Sequence, residues 1–171
     1  MARRRMLGLA ARSAALGGAA VALGQNRVAH AQEQEPLVGS WLVAGTPSGA
    51  QPGPPRLLVS FVPGGVALRT APLQQAAPPA LGTDKMFISS THGAWTRTGD
   101  NSFGLTFLGF AFNAAGEFLA MQRIKVAVDL NEDQDGFSGY ATTDFIGVGG
   151  DVVASGAATV RGTRIQAELP A

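Results

Sequence analysis

The chain has 171 residues, with 13 Lys+Arg against 12 Asp+Glu for a formal charge of +1, two histidines and no cysteine. The missing cysteines exclude disulfides, thiolate metal sites, a Cys nucleophile and a lipidated N-terminal Cys. The near-neutral charge conceals an asymmetry, because five arginines and no acidic residue fall within the first 31 positions.

That first segment begins with Arg3, Arg4 and Arg5, continues through an Ala/Gly/Leu/Val run over 14–24, and closes on Ala29-His30-Ala31. This order of basic start, apolar run and small-x-small end is that of an export signal peptide cleaved after Ala31. The 11-residue apolar run falls well short of the roughly 20 residues a spanning helix needs, so no membrane anchor is expected in the mature chain. Arg3-Arg4-Arg5-Met6-Leu7 is similar to the twin-arginine motif, with the ordinary secretory route as the alternative. Both lead to the periplasm or the extracellular space.

Cleavage would leave residues 32–171 as one domain of 140 residues with 8 Lys+Arg against 12 Asp+Glu, a formal charge of −4. No basic patch remains for nucleic acid, which is therefore not an expected partner. Leu, Ile, Val and Phe make up 36 of these 140 residues, above the level at which disorder is the default. Held without disulfides, the domain depends on its core.

Short runs rich in Val, Ile, Phe, Thr and Trp, broken by Gly, Pro, Asn and Asp, predict an all-β domain. Strands are expected over 37–44, 56–62, 66–70, 87–96, 102–112, 117–130, 137–146, 151–154 and 157–165. Turn-forming residues at 63–65, 98–101, 113–116, 135–136 and 147–150 join neighbours by short loops. The expected fold is an eight- to nine-stranded antiparallel up-and-down barrel, with a β-sandwich as the alternative. Within 117–130, Phe118, Ala120, Gln122, Ile124, Val126, Val128 and Leu130 share one face, while Glu117, Arg123, Lys125 and Asp129 face water. Two Pro/Gly-broken connections, 45–55 and 71–85, are read as loops; the second is long enough to be a lid.

Gly39-Ser40-Trp41 at the start of the first strand resembles the G-x-W signature of lipocalins and the wider calycin group. The resemblance implies that Trp41 lies at a closed barrel base beneath an arginine from the last strand, a place Arg164 would fill. Thr143-Asp144-Phe145 is similar to the T-D-aromatic motif of the same group. What these residues imply is calycin-like architecture; as base residues they identify no ligand.

Chemistry has few carriers. His92 is the one imidazole after residue 31 and the candidate base should the barrel be an isomerase or cyclase. Gly136-Phe137-Ser138-Gly139-Tyr140 lacks the final glycine of a hydrolase elbow. In the stretch 129–139, Asp133, Asp135 and Gly136 take calcium-loop positions 3, 5 and 6 counted from Asn131, but Thr142 stands at position 12 in place of the bidentate Glu. It is read as a hairpin turn with an acidic rim; calcium is the alternative, and no other cofactor is expected. Should the barrel hold a cavity, a small apolar or amphipathic ligand is expected beside Met86, Phe87, His92, Trp95, Phe107 and Phe118. A filled barrel would instead make the protein a structural or interaction module.

Overall fold

Period-two alternation turns into strand along most of the chain in the computed structural model, which describes residues 35–53 and 56–170. The export segment expected over 1–31 lies outside the described residues. Ten strands follow one another: β1 (Gly39–Pro47), β2 (Leu57–Val62), β3 (Val66–Thr70), β4 (Gln74–Ala76), β5 (Lys85–Ile88), β6 (Thr91–Arg97), β7 (Ser102–Phe112), β8 (Phe118–Leu130), β9 (Gly136–Ile146) and β10 (Val152–Arg164). One 3₁₀ turn, Pro79–Leu81, separates β4 from β5.

Eight strands close a barrel, each pairing antiparallel with its predecessor around the ring β1-β2-β3-β6-β7-β8-β9-β10. β1 then pairs with β10, from Trp41 opposite Arg164 to Pro47 opposite Ala158. This is the up-and-down, calycin-like barrel expected from the sequence, and not the sandwich. β4 and β5 lie outside the ring, with Phe87 and Ile88 of β5 paired to Phe112 and Ala111 at the end of β7.

Three details depart from the sequence reading. The expected strand 87–96 is broken at Ser89-Ser90, where the Ser89 hydroxyl accepts from Phe110 N at 3.0 Å and so takes a ladder position. The two short strands expected over 151–154 and 157–165 are one strand, β10, because pairing on both sides with β1 and β9 carries the chain through Ser155-Gly156. The third departure is Phe118. In β8, Ala120 pairs with Ala111 but Phe118 with Phe112, so Leu119 is an extra residue. That bulge turns Phe118 away from the interior face it was expected to share with Gln122 and Ile124.

The closed end is the packed one. Leu37, Trp41 and Phe103 are fully buried, and Phe61, Trp95, Leu130 and Phe137 surround them. Ring centroids lie 5.0 Å apart for Trp41–Phe137 and 5.9 Å for Trp95–Phe103, tilted and edge contacts of the favoured kind. Arg164 lies 4.3 Å above the Trp41 ring and donates from Nη1 to Val38 O at 2.8 Å and from Nε to Gln134 O at 2.9 Å. Its Nη2 also reaches Pro36 O. One side chain thus ties the strand entering the barrel, the strand leaving it and the β8–β9 loop. Burial pulls the Arg164 pKa down, and the Asp135 charge opposes that. Gly39 has φ +138°, and a Cβ there would stand 2.7 Å from Arg164 Nη1, so both backbone conformation and space demand glycine.

A second, smaller cluster of Met86, Ile88, Ala111, Ala120 and Phe145, with Leu81 and Ala154 against it, lies toward the other end. Ala111 is eight residues beyond Phe103 on β7, roughly 26 Å along the strand at 3.3 Å per residue. This cluster fastens the segment from β4 to β5 to the barrel's far end.

Candidate functional site

Between the packed base and the fastened segment the barrel encloses a cavity of about 640 Å³, within the usual range for small-molecule sites. Its walls are the inward residues of the strands. Phe61, Leu105, Phe107, Ile124, Phe137 and Val160 supply the bulk of the apolar surface. Smaller groups, Gly45, Ala141 and Ala158, leave the space. At the mouth, Gln51 and Arg56 come from the β1–β2 connection, and Pro72, Gln74, Gln75 and Ala76 from the segment expected to be a loop. The β4 part of that segment is therefore ordered strand that forms one edge of the mouth.

Two polar side chains are set into the apolar wall. Arg69 and Gln122 line the cavity, and Arg69 Nη1 and Gln122 Oε1 are shut off from solvent without a hydrogen-bond partner. Burial pulls the Arg69 pKa down to about 10, which leaves the guanidinium charged at neutral pH. Register places the two in one row across the sheet. Arg69 pairs with Thr91, Gly109 with Gln122, and the β6–β7 ladder brings Thr91 beside Gly109. A Cβ on Gly109 would come 2.4 Å from Thr91 Cγ2, which is the measure of how closely those two positions adjoin. Thr91 is buried, and its hydroxyl donates to Arg69 O at 3.0 Å, so it satisfies backbone and not the guanidinium.

Among the described residues, the lining contains two arginines and no Asp, Glu, His, Ser, Lys or Tyr. Thr143 is its one hydroxyl. Such a chamber can bind and orient a molecule; it offers a reacting group little acid–base assistance.

The residues expected to meet a ligand divide sharply. Phe107 lines the cavity. Trp95 belongs to the base, where its indole nitrogen donates to Val62 O and Val66 O at 3.1 and 3.0 Å. Met86 is buried in the second cluster. Phe87 and Phe118 are exposed on the outside, where Phe118 packs 6.3 Å from Phe110 and 6.2 Å from Phe112. His92 is also exposed and points outward, between Leu68 and Leu108 on the neighbouring strands. An isomerase or cyclase mechanism with His92 as base inside the barrel is therefore incompatible with its position.

The three resemblance motifs also separate by face. Gly39, Trp41 and Arg164 meet at the base. Thr143 faces the cavity, whereas Asp144 faces outward and accepts from Arg123 Nη2 at 2.9 Å and from Ser155 Oγ at 3.0 Å. These hydrogen bonds, Arg123 foremost, hold the Asp144 carboxyl below its ordinary pKa.

The acidic turn is built by Asn131. Its Oδ1 accepts from Asp135 N and Gly136 N at 3.1 and 3.0 Å, and its Nδ2 donates to Asp135 Oδ1 at 2.7 Å. Gln134 takes φ 57° to close the turn and offers its carbonyl to Arg164. No three His, Asp or Glu side chains among the described residues converge as a metal cage, Asp133 and Asp135 included. No described helix is long and apolar enough to cross a membrane.

No protein-family model, curated protein or solved structure matches the chain.

Proposed function

We propose that the protein is an exported, non-catalytic β-barrel that holds one small apolar or amphipathic molecule in its interior. The cavity carries this reading: about 640 Å³ of space, walled mainly by Phe, Leu, Ile and Val, stands where a purely structural barrel would place side chains. The lining, poor in acids, bases and nucleophiles, favours carriage or storage over turnover. Export rests on the basic start, apolar run and Ala29-His30-Ala31 of the sequence.

The test is titration with an environment-sensitive apolar dye, run beside an Ala141→Phe variant that fills the chamber from β9. Saturable one-to-one binding that the variant abolishes is the expected outcome. Dye binding of equal strength in both proteins would place the dye on the outer surface and remove the reading. The second reading, an interaction module, is favoured by one observation, the outer cluster of Phe110, Phe112 and Phe118. Such a module would bind its partner as well after Ala141→Phe as before.

A further inference from the structure

We infer that the occupant of this barrel is an anionic amphiphile: an apolar tail directed toward the aromatic base and a carboxylate or phosphate head held by Arg69, with Gln122 as second hydrogen-bonding group. The inference rests on the proposed ligand-binding reading and adds the sign and position of the ligand's charge.

Charge is the first observation. The lining holds Arg56 and Arg69 and no acidic residue, although the chain after residue 31 has more acidic than basic groups. The interior is thus positive within a domain whose total charge is negative. Arg56 is exposed at the mouth, where water can solvate it. Arg69 is set deeper in the wall, and among the described residues it forms no ion pair. A guanidinium so placed presents a planar, bidentate fork with no acceptor for it.

Position is the second. The row Arg69-Thr91-Gly109-Gln122 crosses four neighbouring strands, at roughly 4.8 Å per strand. Thr91 is occupied with backbone and Gly109 has no side chain, so the two free polar groups flank a gap between them. Buried polar groups in folded proteins are almost always paired. Two unpaired groups in one row give a polar head group two points of attachment in an otherwise apolar wall. Amide orientation in Gln122 can reverse, so its nitrogen can donate to the same anion. On the base side of this row the lining is apolar, through Leu105, Phe107, Ile124 and Val126 to Phe137. A molecule charged at one end fits that division; a wholly apolar one leaves Arg69 buried beside hydrocarbon.

The experiment compares four probes of one tail length, dodecanoate, dodecyl phosphate, dodecanol and dodecyltrimethylammonium, by calorimetry and dye displacement on the protein and on Arg69→Met. The expected order is anion over alcohol over cation, with the anions favoured over the alcohol by roughly ten- to a hundredfold, as for hydrogen bonds to charged groups. The stronger of the two anions distinguishes a carboxylate head from a phosphate head. Arg69→Met should bind dodecanol as before and lose the preference for anions. Equal affinity for alcohol and anions in the unmodified protein would overturn the inference while leaving the ligand-binding reading intact. Binding of none of the four would remove both. Because the selectivity order is read on the unmodified chain, a poorly folding variant does not protect the proposal.

Discussion

Replacing Arg69 by methionine should stabilise the empty protein. The guanidinium is charged and largely buried, its Nη1 is shut off from solvent without a partner, and desolvation pulls its pKa down to about 10. For a base, a folded-state pKa below the unfolded value means that the unfolded chain binds the proton more tightly. The penalty is then fully present below about pH 10 and fades as pH rises above that toward the ordinary arginine range. At 1.36 kcal/mol per pKa unit this corresponds to on the order of 3 kcal/mol against folding at neutral pH. Methionine retains a flexible apolar stem of similar reach, and the Thr91 hydroxyl keeps its acceptor because that acceptor is the backbone carbonyl of residue 69. Allowing for relaxation and imperfect packing, the gain should be about 1–3 kcal/mol, or roughly 3–9 °C in Tm for a domain of this size. The assay is thermal unfolding by circular dichroism of both proteins, each first unfolded and refolded to strip any bound molecule. Adding dodecanoate should narrow or reverse the order, since the tighter anion binding of the arginine protein gives it the larger linked stabilisation. A stripped Arg69→Met protein less stable than its parent by 1 kcal/mol or more would refute the reasoning, because the guanidinium would then be gaining more in the empty barrel than burial takes away.

Other consequences are independent of the ligand. Gly39→Ala combines a left-handed φ with a Cβ 2.7 Å from Arg164 Nη1, and should destabilise by about 1–3 kcal/mol in chemical denaturation; a neutral result would mean that Arg164 is not fixed over Trp41. Asp144→Asn should flatten the acid limb of the stability curve. The folded carboxyl titrates below its usual value, so its contribution is present above about pH 4 and is lost as pH falls through the folded pKa; an unchanged limb would show the Arg123 and Ser155 contacts to be without weight. Calcium should leave Tm where chelator leaves it, since Asn131 already engages Asp135 and two backbone amides of the turn; a rise on adding calcium would restore the metal reading of that loop.

Alternation made the long strands readable. In β8 the charged residues Arg123, Lys125 and Asp129 mark the wet face unambiguously, and only the bulge at Leu119 interrupts the pattern. The same rule could have corrected two ligand candidates, since Met86 and Phe87 are adjacent in an extended strand and cannot share a face. His92 and Trp95, three apart in β6, are likewise on opposite faces. Arg69 was hidden for a different reason. In Val66-Ala67-Leu68-Arg69 the larger apolar residues invite the inward face, yet Ala67 is fully buried and Leu68 is 41% exposed. The pairing of Ala67 with Phe61, beside Trp95 on the next strand, settles this: two large aromatic groups leave room for only a small third. A short strand takes its register from such neighbours, and neighbours in space are what a linear reading lacks. Gln122 was different again, visible as a polar residue on the inward face of β8, but its meaning depended on Arg69 standing in the same row.

The most direct test of the central claim is native mass spectrometry of the protein isolated, without denaturation, from the cells that make it. A barrel built around an anionic amphiphile should carry one organic molecule per chain, released on denaturation and detected as a negative ion. A bare polypeptide mass in every charge state would contradict the claim.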